Sequence, residues 1–438
     1  MTRCLRPHVI LHLAILLTFA LISVWYRLPE TPPLLAPLYV TRFLIVLPML
    51  FAIAGWLALR LPGFADLRRD PLRRVWALSL LALALWSFAS QGWAYQRGPH
   101  PEIAATTALQ FGIASLFSLV VACAGPPRRA IIAVLAVSLG WNALAGGMQV
   151  TLQESIGLWE LGEFRLGIDH SGVSVVQAGD VRWLRPYGLL PHPNIFAGAL
   201  ALGLLGAGAW MLAQRRVLWL VGTALALGGL WVFLLTFSRA AWGGLALGVL
   251  AGLLFVRRGY LTARLSLQPR RLLVSAALLV GAGALFVALY HPFLLARAGV
   301  NSESIEQRSI SDRRVFTEFA LRAISESPLI GMGAGNFPWK ASYYLLFLPY
   351  DLRGDNVHNI YLLVWAELGL IGLGLYAVAL LTGLYAAVRN LWSRPDPYGA
   401  MLFGGAVTLL AIGLLDHYPS SILHFQIALW GLLGTVGK

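Results

Sequence analysis

The sequence predicts an all-α polytopic membrane protein of about twelve transmembrane helices. Three observations carry that prediction. Of 438 residues, 58% are hydrophobic and 12% charged, with mean hydropathy +0.72; a water-soluble domain carries about 25% charged residues. The apolar residues run in stretches near the ~20 residues that cross hydrocarbon as helix, the form in which a backbone in lipid satisfies its own polar groups. The arginines between those stretches alternate, crowding every second connection.

The spans in order are 8–27, 37–59, 74–91, 103–124, 130–150, 192–213, 217–236, 239–256, 272–291, 358–388, 398–416 and 419–436. The first begins after Arg3 and Arg6, as a signal peptide would, but shows no small-residue cleavage site and reads as a helix. One set of ends and loops holds Arg3, Arg6, Arg60, Arg68, Arg69, Arg73, Arg74, Arg128, Arg129, Arg215, Arg216, Arg257, Arg258, Arg264, Arg270, Arg271, Arg389, Arg394 and Lys438. These are nineteen of the 33 basic residues, joined only by Asp66, Asp70 and Asp396 of the 19 acids. The positive-inside rule places those loops and both termini in the cytoplasm. The net charge of +14 is therefore a topology signal, not a nucleic-acid footprint. Cys4 and Cys123, the two cysteines, map to cytoplasmic span ends and make neither a structural disulfide nor a metal site.

The whole of 1–438 reads as one integral membrane domain with two long external segments. Segment 151–191 carries Glu154, Glu160, Glu163, Asp169 and Asp180, and a hairpin in which 173–177 and 181–185 flank Ala-Gly-Asp. Segment 292–357 is larger. Its stretch 311–326 opens on Ser311 and Asp312 and spaces Val315, Phe316, Phe319, Ala320 and Ala323 as an amphipathic helix at the membrane surface. It breaks at Ser327-Pro328 and enters the glycine run Gly331, Gly333, Gly335. That run does not join a strand to a helix, so it is no phosphate loop. Zinc spacing, a nucleophile elbow, paired carboxylates and internal repeats are all missing from the sequence.

Threading puts the chemically interesting residues on the external side. His358-Asn359 opens the tenth span, where a neutral imidazole can take a proton from an attacking hydroxyl; the alternative is a helix cap. Arg239 follows Ser238, a plausible N-cap, and helix amides with a guanidinium make an anion site; the alternative is an arginine snorkelling to the interface. Arg313, with Arg314 beside it, suits bidentate phosphate binding, or else pairs with Asp312 or Glu318. Arg185-Pro-Tyr-Gly188 leads into His192-Pro193-Asn194 at the mouth of the sixth span, either a site or a turn and cap. Asp416-His417 ends span eleven and either orients a base or closes a helix. Glu367 lies about 13 Å down span ten at 1.5 Å per residue, an intramembrane acid of the kind that marks function, with no partner evident.

The chain resembles the bacterial O-antigen ligase family, which includes O-antigen polymerases and protein O-oligosaccharyltransferases. The resemblance rests on His358-Asn359 followed after nine residues by Gly369-x-x-Gly372, on Ser238-Arg239, on Arg313 with Pro328-x-x-Gly331-x-Gly333-x-Gly335-Asn336-Phe337, and on Arg185-x-x-Gly188 before His192-Pro193-Asn194. It covers mainly 185–372. Phe316 and Thr317 stand where the family commonly has Trp. The resemblance implies an inverting, metal-independent glycosyltransferase of the membrane GT-C type, without cofactor, in the bacterial inner membrane with a periplasmic active site. The donor is a glycan on undecaprenyl pyrophosphate. Arg239 and Arg313 would hold the pyrophosphate, His358 would activate the acceptor hydroxyl, and Asp416 is the late acid. Arg185, His192, Asn194, Arg314 and Asn359 complete the expected binding residues. Lipid A-core is the leading acceptor, with polymerisation or transfer to protein as alternatives. A transporter of lipid-linked sugars is the reading from another class, and it predicts interrupted helices and midplane polar groups.

Overall fold

The computed structural model describes residues 7–28, 43–94, 101–298, 304–346 and 354–438, with the backbone alone for 101–104 and 304–310. Arg3, Cys4, Arg6 and the first residues of the predicted second span lie outside the described residues.

The chain is a helical bundle: α1 (Pro7–Ala20), α2 (Val46–Ala58), α3 (Phe64–Arg69), α4 (Pro71–Ala89), α5 (Pro101–Ala124), α6 (Arg128–Leu152), α7 (Pro193–Met211), α8 (Arg216–Leu235), α9 (Arg239–Leu261), α10 (Pro269–Arg297), α11 (Ser304–Glu326), α12 (Phe337–Leu345), α13 (Ile360–Ser393), α14 (Pro397–Ile412), α15 (Tyr418–Ser421) and α16 (Leu423–Val436). Among the described residues, eight helices are long and apolar enough to cross a membrane, namely α4 to α10 and α13. Four shorter apolar helices, at Pro7–Ser23, Val46–Ala58, Pro397–Ile412 and Leu423–Val436, stand at the remaining predicted spans. All-α architecture and several membrane-length helices thus hold, with eight rather than twelve helices meeting the length requirement.

Between α6 and α7 lies the predicted hairpin, as β1 (Val175–Ala178) and β2 (Val181–Leu184), antiparallel with Val175 opposite Leu184. Its turn is Gly179-Asp180, and Gly179 takes φ +60, which suits a tight hairpin turn. A buried Gln149 near the end of α6 pins the loop: its amide oxygen accepts from Tyr187 and Gly188 N–H, and its amide nitrogen donates to Glu163 and the Gly188 carbonyl.

Several boundaries move, each for a local reason. The amphipathic helix starts at Ser304, not Ser311. Its apolar face is covered by protein rather than lipid: Phe316, Phe319, Ala320 and Ala323 pack with Tyr344, Leu345, Val357 and Leu363. Burying one such phenylalanine stabilises by about 1.5–3 kcal/mol. Helix α10 runs to Arg297, past the predicted end at 291, but breaks at Tyr290 (φ −114°, ψ 15°) ahead of Pro292, which lacks an N–H and crowds the preceding turn.

Helices α9 and α14 pack most closely. Gly244, Gly248 and Gly252 recur every four residues on α9 and face Thr408, Gly404 and Ala400 of α14. A Cβ at Gly248 would come within 2.4 Å of the Gly404 carbonyl oxygen, and one at Gly404 within 2.5 Å of the Gly248 oxygen. Small residues at this spacing let membrane helices approach backbone to backbone.

Helix α13 is interrupted at Gly369 (φ 69°, ψ −174°). The glycine run supplies the hydrogen bonds the break removes. Met332 N–H donates to Ala366 O at 3.0 Å and Gly333 N–H to Glu367 O at 2.8 Å, while Leu370 N–H donates to Pro328 O at 2.9 Å and Ile371 N–H to Leu329 O at 3.3 Å. Trp86 Nε1 donates to Leu368 O at 2.8 Å and Trp365 Nε1 to Pro328 O at 3.1 Å. A backbone break among apolar helices is tolerated when neighbours re-satisfy the freed groups, and here two sequence motifs do so for each other.

Candidate functional site

The site gathers where α7, α13 and α14 present the same end. Two bonds hold the start of α13 onto the end of α14: Ile360 N–H donates to Gly413 O at 2.8 Å, and Asn359 Nδ2 donates to Leu414 O at 3.1 Å. Asn359 also caps α13, its Oδ1 accepting from Tyr361 and Leu362 N–H at 2.9 and 3.0 Å. These contacts fix the residue before the cap, His358, beside the residues after α14, Asp416 and His417. The rings of His358 and His417 lie 5.5 Å apart at 79°.

Asp416 is the buried centre of the group. Its Oδ1 accepts from His417 N–H at 2.9 Å and its Oδ2 from Asn194 Nδ2 at 3.1 Å. Burial pushes its carboxyl up, but His417, His358, His192 and Arg313 outweigh that and hold it below the usual carboxylate range. It is therefore an anion. Burial lowers the pKa of His358, as do His417 and Arg313, while Asp416 and Asp355 raise it; the net shift is downward. Its Nδ1 is buried without a hydrogen-bond partner among the described residues. His358 is thus a neutral imidazole with an anion near enough to stabilise the imidazolium that forms when it takes a proton, the arrangement general-base catalysis uses.

Arg185 is buried and fully engaged: Nε donates to Thr236 O at 2.6 Å, Nη1 to Ser174 Oγ at 2.7 Å and Nη2 to Asn194 Oδ1 at 2.6 Å. It orients Asn194, which orients Asp416, so Arg185 acts on the site from behind. Gly188 (φ +56°) lets the chain turn where a Cβ would meet the Phe196 ring at 2.3 Å, which accounts for Arg185-x-x-Gly188. His192 caps α7, its Nδ1 accepting from Asn194 N–H at 3.1 Å. Burial, with the Arg185 guanidinium, brings its pKa down to about 3.

The two neighbouring arginines of α11 separate. Arg314 is exposed and pairs with Glu318 at 3.1 Å along the helix, whereas Arg313 acts electrostatically on both His358 and Asp416. Arg239 sits at the start of α9, exposed, with Nη1 donating to Arg297 O at 2.5 Å. The turn before it also meets the site's support, since Thr236 O accepts from Arg185 Nε. Ser238 occupies the N-cap position, but its side chain makes no capping bond. Glu367 finds the partner the sequence did not name: its Oε1 accepts from Phe337 N–H at 3.1 Å, at the start of α12.

Sequence reasoning missed Asp355 and the placement of His417. His417 Nε2 lies 3.9 Å from Asp355 Oδ1, and its Nδ1 lies 2.7 Å from Ser421 Oγ. The only signal was that both are polar residues at external span ends.

The geometry makes a pH prediction. Because His358 is held below its ordinary value of about 6.5, the acid limb of kcat/KM should lie below that pH. Asp416→Asn removes the anion that favours the imidazolium. The limb should then move to still lower pH, while the rate at pH 7 falls. A limb that stays put or moves up would dissociate Asp416 from His358.

Residues 223–377 match the family model described as O-Antigen ligase. That stretch contains Arg239, Arg313, Arg314, His358, Asn359 and the Gly369 interlock, and leaves Arg185, His192, Asn194 and Asp416 outside. No curated protein matches the chain. Over its segment 223–377, this multi-pass helical chain is similar to the O-antigen ligase family.

Proposed function

We propose that the chain transfers a glycan from undecaprenyl pyrophosphate to an acceptor hydroxyl with inversion, using His358 as general base and no metal. The observation that carries this reading is the buried Asp416 carboxylate tied to His417, whose ring lies 5.5 Å from that of His358; the charge of Arg313 acts on both His358 and Asp416. The match of residues 223–377 to the O-antigen ligase model supports a glycosyl transfer of the ligase or polymerase type. A lipid pyrophosphate leaving group gathers negative charge as the glycosidic bond breaks. Fixed guanidinium groups stabilise that charge more in the transition state than in the ground state. Arg313 and Arg239 take this role, with Arg314 and Asn359 at the edge of the donor site.

Lipid A-core is the favoured acceptor; a growing O-antigen chain or a protein hydroxyl uses the same chemistry. The fold is read as GT-C type with twelve spans, the four shorter apolar helices included. The orientation follows from charge. The starts of α7, α9 and α13 and the end of α14 carry the site, while the opposite helix ends carry the basic loops at 68–74, 128–129, 215–216, 257–271 and 389–394. The positive-inside rule makes the basic ends cytoplasmic and the site periplasmic, in an inner membrane.

If Arg239 and Arg313 clamp the pyrophosphate, Arg→Lys at either position should lower turnover about 10²–10³-fold, because a point charge does not replace a bidentate fork. Measured rates near wild type in both lysine variants would remove the clamp.

The interruption of α13 beside the buried Glu367 favours a second reading, transport, since broken helices with midplane polar groups mark transporters. Two observations weigh against it. The break is sealed by backbone bonds from 328–333. The cavity beside Glu367, lined by Thr107, Ser420 and Ser421 as well, is about 140 Å³, room for a few waters at about 30 Å³ each and not for a glycan. A transporter forms no glycosidic product, so detection of one separates the two.

A further inference from the structure

We propose that Asp355, His358 and His417 form a binding site for a divalent transition-metal ion, zinc above all, and that filling it switches transfer off. The metal site stands on geometry alone; its inhibitory effect rests on the reading of His358 as the base.

The three residues each bring one ligand atom, and these atoms all lie within 4.8 Å of one another. His417 Nε2 and Asp355 Oδ1 are 3.9 Å apart. Zinc holds imidazole nitrogen and carboxylate oxygen at about 2.0–2.2 Å, so tetrahedral ligand atoms sit about 3.4 Å apart. From separations within 4.8 Å, the atoms need to close by at most about 1.4 Å. Two imidazoles and one carboxylate also form a donor set that zinc prefers over magnesium or calcium, which take oxygen ligands.

The site is built rather than incidental, because both segments that carry it are fastened. Gly354 lies so close to α12 that a Cβ would meet Ser342 Oγ at 2.0 Å and Pro338 O at 2.1 Å. Val357 is buried in the α11–α12 cluster, and Asn359 ties the chain to Leu414. Asp355 and His358 therefore leave one short anchored segment. His417 comes from the other, with its backbone N–H on Asp416 Oδ1 and its Nδ1 2.7 Å from Ser421 Oγ. When Nδ1 donates to that hydroxyl, Nε2 presents its lone pair toward Asp355, the outer-shell arrangement that fixes the tautomer of metal-binding histidines.

Three protein ligands leave a fourth position for water. An imidazole lone pair bound to zinc cannot accept a proton from the acceptor hydroxyl. A filled site therefore removes the base without occupying Arg239 or Arg313.

The test uses the full chain in detergent, stripped of metal and titrated with Zn²⁺ against a competing metal indicator, then with Co²⁺ monitored by absorption. One zinc per chain is expected, with tetrahedral cobalt bands. Asp355→Asn and His417→Gln should each weaken zinc about tenfold or more and abolish those bands. No stoichiometric binding, or binding that both variants leave intact, overturns the site. Transfer rates are then measured across the same titration, each variant against its own metal-free rate. Transfer by wild type should fall in step with occupancy, and Asp355→Asn should need at least about tenfold more zinc. Zinc bound by these residues without loss of transfer overturns the inhibition and, with it, His358 as base. A chain that binds zinc here yet transfers no glycan keeps the metal site and overturns the proposed reaction instead.

Discussion

His358→Ala is expected to lower glycan transfer by about 10²–10⁴-fold, the usual contribution of a positioned general base, with donor binding retained. The size follows from what the imidazole does. It is kept neutral by burial, with the charge of Arg313 adding to the effect, so at pH 7 it can accept the hydroxyl proton. Asp416, kept ionised by the histidines and Arg313, then stabilises the imidazolium. Alanine removes the acceptor and leaves the arginines, so the loss should appear in kcat and not in donor affinity. His358→Gln, which keeps the volume but has no titratable nitrogen, should be as inactive. Single-turnover rates together with equilibrium donor binding check both halves. An equal fall in donor binding would assign His358 to substrate holding.

The second large effect is expected far from any reacting atom. Gly369→Ala should sharply lower the melting temperature and abolish transfer, although it removes no group from the site. Gly369 has a backbone conformation that is essentially confined to glycine, costing other residues about 1–3 kcal/mol. A Cβ there would come within 2.2 Å of Leu329 O. Relieving that clash separates the break from the 328–333 segment, and the freed groups of both lose their partners; each buried unsatisfied group costs about 1–3 kcal/mol. Gly331→Ala should do the same from the other side, since its Cβ would lie 2.4 Å from Glu367 O. Gly374→Ala is the control: nothing lies within 4 Å of its added Cβ, and alanine favours helix over glycine by about 1 kcal/mol. Thermal unfolding in detergent should therefore leave Gly374→Ala at or above wild type and place the other two far below it.

These glycines show how much of the fold was legible beforehand. The apolar runs located the helices because burial in lipid imposes a length and a composition that sequence displays directly. The turn and cap at His192-Pro193-Asn194 were readable because they are local, whereas the cap of α13 is Asn359 and not the neighbouring His358. The Gly369-x-x-Gly372 and Pro328–Gly335 motifs could be recognised but not explained, since the bonds that join them cross about forty residues of sequence. Glu367 likewise looked solitary until Phe337 arrived from another element. Within the candidate site, His358 and Asp416 stood out as polar residues at span ends. Asp355 did not, because an acid in a polar loop is unremarkable until the loop folds beside His417. Arg185 shows the converse. Its residue type suggested substrate contact, while its three donated bonds make it the support for Asn194.

The most direct measurement is transfer by the purified chain from a defined undecaprenyl-pyrophosphate glycan. Lipid A-core, the glycan itself and a serine/threonine peptide would be supplied separately as acceptors, with a chelator present. The account predicts a new glycosidic product on one acceptor, stoichiometric release of the lipid pyrophosphate, and loss of both in His358→Ala. Donor bound with no product on any of the three, or equal product from His358→Ala, would contradict it.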